Sequence, residues 1–221
     1  MGPVNACYTR PLMATCPLCN ARAAKRSCPA KRTHICSVCC GTKREIEIDC
    51  PSDCAYLKSG RIYETEKKPL TAESAGSIRR FDDAFLHQYG LLIFGIYKEI
   101  VEERRLQPTM LDHDVVEVYK SLGATLKTLS SGLLYESLPE GGPMQTVLFR
   151  RLRNFIDSLI SPESQEQRAL RVSEAEAIVE FLVASASING TDRPKSRRYL
   201  DWLTGIMAES SPKEENRIIL P

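Results

Sequence analysis

All nine cysteines of the chain fall between Cys7 and Cys54, and the 167 residues from Ala55 to Pro221 contain none. The spacing is Cys16-x2-Cys19-x8-Cys28-x7-Cys36-x2-Cys39-Cys40-x9-Cys50-x3-Cys54, with Cys7 standing nine residues upstream. Without Cys7 there are eight thiols, enough for two tetrahedral zinc sites of four. The two-residue gaps in CPLC and CSVC are the spacing at which a tight turn aims both sulfurs at one ion. A disulfide framework or an iron–sulfur cluster would use the same residue type. Disulfides need an oxidising compartment, and a single cluster would use only four of the eight cysteines. The start, MGPVNACYTRPLM, has no charged stretch leading into an apolar one, so a cytoplasmic address is expected, where such a pattern binds metal.

Adjacent Cys39 and Cys40 project in different directions and do not comfortably close on one ion together. An interleaved pairing follows, with Cys16, Cys19, Cys36 and Cys39 on the first zinc and Cys28, Cys40, Cys50 and Cys54 on the second. His34, six residues after Cys28, competes with Cys40 as the eighth ligand. The large side chains available to this stretch are few, chiefly Ile35, Val38, Ile46, Ile48, Tyr56 and Leu57. A segment so small cannot build a sufficient core, so metal binding is expected to supply its folding free energy, ~10 kcal/mol or more per structural zinc.

The strings CPLC, SCP, ICSVCCGTKR and CPSDCAYL, from Cys16 to Leu57, resemble the cross-braced treble-clef zinc fingers, of which the HIT and MYND fingers are examples. That resemblance implies a knuckle, a middle cysteine, a second knuckle running directly into a short element, and a closing pair. Cys28 has no partner two residues on, and Cys50 and Cys54 stand where a HIT finger uses a His and a Cys. The whole chain also resembles a group of bacterial proteins of unassigned activity that carry a CCGTKR-type cysteine cluster and continue as helices.

From Met1 to Arg44 there are eight basic residues, Arg10, Arg22, Lys25, Arg26, Lys31, Arg32, Lys43 and Arg44, and no acidic one. A basic stripe of this kind is the footprint of phosphate contact. Two offsets oppose that reading. Each zinc bound by four thiolates carries a net charge of about −2, and Glu45, Glu47, Asp49 and Asp53 follow immediately. No aromatic residue interleaves the basic ones between Arg10 and Arg44 to offer a stacking platform.

After Cys54 the period changes. Ile78, Phe81, Phe85, Tyr89, Leu92, Ile96 and Ile100 mark one face of a helix that should stop before Pro108. A second helix is expected from Thr109 as cap, with Leu111, Val115, Tyr119, Leu122, Leu126 and Leu129 inward, ending at PEGGP, residues 139–143. A third runs from near Pro143 with Leu148, Leu152, Phe155 and Leu159, closing at Ser161. A fourth opens on Ser173 and Glu176 in capping-box spacing, turns Ile178, Phe181, Leu182 and Ser185 inward, and stops at Asn189-Gly190. A fifth spans about Arg193 to Glu209 with Tyr199, Leu203 and Ile206. Gly90, Gly95, Gly123 and Gly132 interrupt the first two and predict close helix packing or a kink; the apolar tail RIILP, Arg217 to Pro221, is expected to dock back. The expected fold class is therefore all-α: a cysteine-rich finger over residues 7–60, then a bundle of about five helices over 69–221.

The longest apolar run, Leu91 to Tyr97, is far short of the ~20 residues a membrane helix needs, and no membrane association is expected. With 26% charged and 43% apolar residues and a net charge of +2, the chain is too apolar for disorder. Catalytic signals are sparse. Asp83 and His87 share a helix face without a Glu-x-x-His partner. Asp112-His113-Asp114 sits at a helix start, where exposed acids suit the helix dipole. Cys7 has no nominated base. Arginine runs at Arg79-Arg80, Arg104-Arg105, Arg150-Arg151-Arg153 and Arg197-Arg198 read as solvated faces, the third being the best secondary candidate for an anionic partner. The expected function is a non-catalytic zinc-binding interaction protein with a protein partner, its finger a recognition surface and its bundle a second interaction or homodimer surface. The alternative is nucleic-acid binding through Arg22, Lys25, Arg26, Lys31, Arg32, Lys43 and Arg44; a metal-dependent enzyme in the helical domain is a third class.

Overall fold

The computed structural model describes residues 14–67, 81–161 and 169–210. Cys7, Arg10, Ile78, Arg79, Arg80 and the RIILP tail lie outside the described residues. The chain divides into two compact units, Met1–Tyr63 and Glu64–Pro221.

In the first unit a turn at residues 16–20 is closed by a Thr15–Ala23 bridge. It leads into a two-stranded antiparallel hairpin, β1 (Arg26–Cys28) and β2 (Thr33–Ile35), with Ser27 opposite His34 and Cys28 opposite Thr33. β2 passes directly into α1 (Ser37–Lys43), and α2 (Ala55–Lys67) follows Cys54 and crosses the division between the units. Of the six large side chains available, Ile35, Ile48 and Leu57 are buried, whereas Val38, Ile46 and Tyr56 are exposed. Sulfur fills the rest: Cys16, Cys28, Cys36 and Cys39 pack with Ile35 and Ile48 as the buried cluster.

The second unit holds α3 (Asp83–Leu106), α4 (Asp112–Ser130), α5 (Pro143–Ile160), α6 (Val172–Asn189) and α7 (Arg198–Ser210). Among the described residues the chain is all-α apart from the small hairpin, with five helices lying wholly in this unit, as the periodicity predicts. α4 is the central helix, packed against α5, α6 and α7, and α3 packs against α5, α6 and α7. Val115, Val118, Tyr119, Leu122 and Leu126 put the whole inner stripe of α4 out of solvent. Each such side chain contributes ~1.5–3 kcal/mol by burial. The Tyr119 and Tyr199 hydroxyls meet at 3.1 Å, and Tyr97 meets Ser185 at 3.0 Å, so these four core hydroxyls are hydrogen-bonded to one another in pairs. Gly95 gives α3 and α5 a close approach: a Cβ there would lie 2.6 Å from Cζ of Phe155.

Several element bounds differ from expectation, each for a definite reason. α3 does end ahead of Pro108, and Asp82 caps its start by accepting from the Phe85 amide. α4 starts at Asp112 rather than from a Thr109 cap, because Asp114 reaches back to accept from the Leu111 amide at 2.8 Å. It ends at Ser130 and not at PEGGP. Gly132, at φ 77°, takes the left-handed position, and the Gly132 and Leu133 amides close on Leu129 and Thr128 carbonyls as a Schellman stop. α6 starts at Val172 because Glu174, not the Ser173–Glu176 pair, accepts from the Arg171 amide at 2.9 Å. α7 starts at Arg198 because Asp112 caps it from α4, accepting from the Tyr199 and Leu200 amides at 3.1 Å and from Ser196 Oγ at 2.7 Å.

Candidate metal centre

The turn at residues 16–20 is tight because the Asn20 amide returns to the Cys16 carbonyl at 2.8 Å and Asn20 takes φ 52°. That turn presents Cys16 and Cys19 together. Cys36 sits at the N-cap of α1, its sulfur accepting from the Cys39 amide at 3.3 Å, and one helical turn brings Cys39 beside it. The four sulfurs of Cys16, Cys19, Cys36 and Cys39 all lie within 4.8 Å of one another. This is a zinc-finger-like site that can hold one ion by four sulfurs. Cys19 and Cys36 approach to 3.9 Å, almost twice the S–S bond of ~2.05 Å, and the eight cysteines from Cys16 to Cys54 are free thiols.

Electrostatics explain why the cluster calls for a cation. The Ala21 backbone amide, with that of Arg22, holds the Cys19 thiol down at about 6. Burial opposes ionisation of Cys16, yet the backbone amides of Cys36 and Leu18 bring it below the ordinary thiol value. Burial, followed by its three neighbours Cys36, Cys19 and Cys16, pushes Cys39 up to about 12. Four thiolates so close cannot coexist uncompensated; a divalent ion removes the conflict by taking all four sulfurs and releasing the remaining protons.

Cys28, Cys40, Cys50 and Cys54 line a second feature of the finger, a cavity of about 10 Å³ shared with Ile35, Arg44, Ile48 and Leu57. Such a volume is about one water-sized sphere. Burial raises the Cys50 thiol, opposed by a hydrogen bond from the Glu45 backbone and reinforced by the charges of Cys54, Glu45 and Cys28. His34 is exposed and does not line this cavity. The register explains it: Cys28 pairs with Thr33 on one face of the hairpin, so His34, one residue on, belongs to the opposite face.

The basic residues separate. Arg22, Lys25, Lys31 and Arg32 are exposed, and Arg26 lies 4.9 Å from the centre of the Tyr56 ring. Lys43 pairs with Glu47 at 2.6 Å, and Arg44 is only 8% exposed, so these two do not share the open surface of the other five. Neighbouring Glu45 is buried and bound to Arg61 at 2.6 Å. No pattern in the sequence marks Arg44 and Glu45 as interior; their place beside four cysteines was the one available sign.

In the helical unit the arginines of the third run face carboxylates: Arg151 meets Glu99 at 2.5 Å and Glu103 at 3.2 Å, and Arg153 meets Asp157 at 2.8 Å, leaving Arg150 exposed. Arg104 pairs with Asp201, and Arg197 is buried against the Thr109 carbonyl. Asp112 and Asp114 are buried structural acceptors rather than surface acids, Asp114 also taking Gln145 Nε2 at 2.8 Å. Asp83, His87 and His113 are exposed. No helix among the described residues is long and apolar enough to cross a membrane. Set against known protein families, curated proteins and solved structures, the chain matches none.

Proposed function

We propose that the chain is a non-catalytic zinc-binding interaction protein whose finger holds two structural zinc ions, the first on Cys16, Cys19, Cys36 and Cys39 and the second on Cys28, Cys40, Cys50 and Cys54. The observation that carries this reading is the convergence of the first four sulfurs within 4.8 Å. The cavity lined by the other four supports the second ion, with Cys40 rather than His34 as its eighth ligand. The order of a knuckle, a hairpin and a helix carrying the second Cys pair supports a treble-clef finger of the cross-braced type. Apolar side chains held in solvent support an interaction role: Val38 and Ile46 on the finger, and Leu133, Leu134, Tyr135 and Leu138 in the connection after α4, Leu134 being 94% exposed. Those surfaces suit a protein partner or a second copy of the chain.

Elemental analysis of the chain purified under reducing conditions tests the metal reading. Two zinc per chain are expected, falling to one in Cys39→Ser and in Cys50→Ser, with His34→Ala unchanged. One ion in the unaltered chain refutes the second site; none, or an iron–sulfur absorption band, refutes the reading whole.

One observation favours the second reading, nucleic-acid binding. Arg22, Lys25, Lys31 and Arg32 are exposed on and around the β1–β2 hairpin, with Arg26 over Tyr56 beside them. Anisotropy titration against mixed RNA and DNA separates the two. Phosphate binding by these side chains weakens by about a decade or more between 50 and 200 mM salt, whereas no binding at low salt retires this reading.

A further inference from the structure

Among the described residues of the finger, Arg44 is the one basic residue that is buried. It follows α1 directly, is 8% exposed, and lines the same small cavity as Cys28, Cys40, Cys50 and Cys54. Its Nε is buried and has no hydrogen-bond partner among the described residues. Room for its guanidinium is reserved on α2: a Cβ at Gly60 would fall 1.3 Å from Nη1 and 2.4 Å from Cζ of Arg44. The adjacent acid, Glu45, is paired with Arg61. A buried guanidinium with an idle donor is costly unless an anion answers it.

Four thiolates around a divalent ion supply that anion. Their formal charges sum with the metal to about −2, and in a water-poor interior a single positive charge beside them acts far more strongly than it would in solvent. We infer that Arg44 is the buried counter-cation of the metal-loaded Cys28, Cys40, Cys50 and Cys54 site, donating from Nε to a thiolate of that set and making the ion's retention there depend on it. This rests on the two-ion reading above. Arg44 is thus a positioning residue. It binds no metal itself, but it orients and neutralises the sulfurs that do, as outer-shell donors do at metal sites generally. Gly60 belongs to the same device, because any side chain there displaces the guanidinium.

The test is a cobalt titration of the reduced, metal-free full-length chain, read by thiolate-to-cobalt charge-transfer absorption and followed by chelator competition to rank the two sites. The unaltered chain should take two equivalents. Arg44→Met should weaken one site by about 10–100-fold and leave the other unchanged, Arg44→Lys should recover part of the loss by restoring the charge without the fork, and Gly60→Ala should resemble Arg44→Met. In a Cys50→Ser background, which keeps only the first site, Arg44→Met should change nothing. A single equivalent in the unaltered chain overturns the two-ion reading and this inference with it. Two equivalents with unchanged affinities in Arg44→Met overturn the role of Arg44 alone. Equal weakening of both sites, or a Lys variant no better than Met, marks a merely structural residue and also overturns it. Should the Met variant fail to fold, the Lys and Gly60→Ala titrations carry the same comparison.

Discussion

Replacing Asp112 by Ala removes the joint between α4 and α7. Its carboxylate accepts from Ser196 Oγ at 2.7 Å and from the Tyr199 and Leu200 amides at 3.1 Å, and its own amide donates to the Ser196 carbonyl at 2.9 Å. With the side chain gone, α7 loses its cap, an effect of ~1–2 kcal/mol. The buried Ser196 hydroxyl also loses its acceptor, a further ~1–2 kcal/mol at a site too closed for water to replace it. The sum is about 3 kcal/mol, and at ~2–4 °C per kcal/mol for a unit of this size the melting temperature falls by about 10 °C. Asp112→Asn keeps one acceptor oxygen and should lose about half as much, while Ser196→Ala, which removes the bonds to Asp112 and from the Arg198 amide but leaves the Asp112 cap, should cost ~1–2 kcal/mol. The chain reports on this itself. Its single tryptophan, Trp202, lies in α7 and stacks on Tyr199 with ring centres 5.7 Å apart, so thermal melts followed by Trp202 fluorescence read the joint directly. An Ala variant shifted by less than about 1 kcal/mol, or an Asn variant as damaged as Ala, would refute this account of how α7 is held.

Acid should loosen α6 first. Arg171, through its side chain and then its amide, holds Glu174 at about 2, below its ordinary 4.5, so the stability this carboxylate contributes is present above about pH 4.5 and is lost as pH falls toward 2; a Glu174→Gln variant should lose that part of the acid dependence in melts run from pH 7 to pH 2. Gly95→Ala should destabilise by ~1–3 kcal/mol through the clash with Phe155, and Phe155→Leu in the same chain should relieve part of it, as measured by urea midpoints. Chelation of the metal at neutral pH should abolish the dispersed amide NMR signals of residues 14–60 while most of the helical circular dichroism persists; retention of those signals would mean that Ile35, Ile48 and Leu57 suffice as a core.

The four-cysteine cluster of Cys16, Cys19, Cys36 and Cys39 was legible because ligand spacing is local chemistry: CPLC and ICSVC each fit one turn, whatever lies beyond. The five helices were legible for a similar reason, since a stripe such as Val115, Tyr119, Leu122 and Leu126 declares its buried face through its period. Helix ends were not, because a cap is set by which acceptor arrives. The sequence offered Thr109 and Ser173, but the acceptors that matter are Asp114, Glu174 and, from another helix, Asp112. The strands of the hairpin, three residues each, are too short for a period of two to register. Charge misled most. The basic run reads as one stripe, yet the chain sends Arg44 inward and Lys43 to Glu47 while its neighbours stay in water.

That division of charge also bears on how the finger and the helical unit come to be folded. The helical unit buries a continuous apolar core, from Ile93 on α3 to Leu203 on α7, and its stability follows from area. Among its described residues the finger has three fully buried aliphatic side chains, Ile35, Ile48 and Leu57, and fills the remaining space with thiols and with two charged residues, Arg44 and Glu45. Burying those charges in a metal-free finger works against folding, since each must leave water before a sufficient apolar core exists to offset it. Glu45 finds its answer in Arg61 within the protein. On the inference drawn above, Arg44 would find its own when the four sulfurs lining its cavity carry the charge of a bound-metal thiolate set. On that inference the same residue that disfavours the metal-free fold would favour the loaded one, coupling metal binding and folding of the finger through charge as well as through ligation.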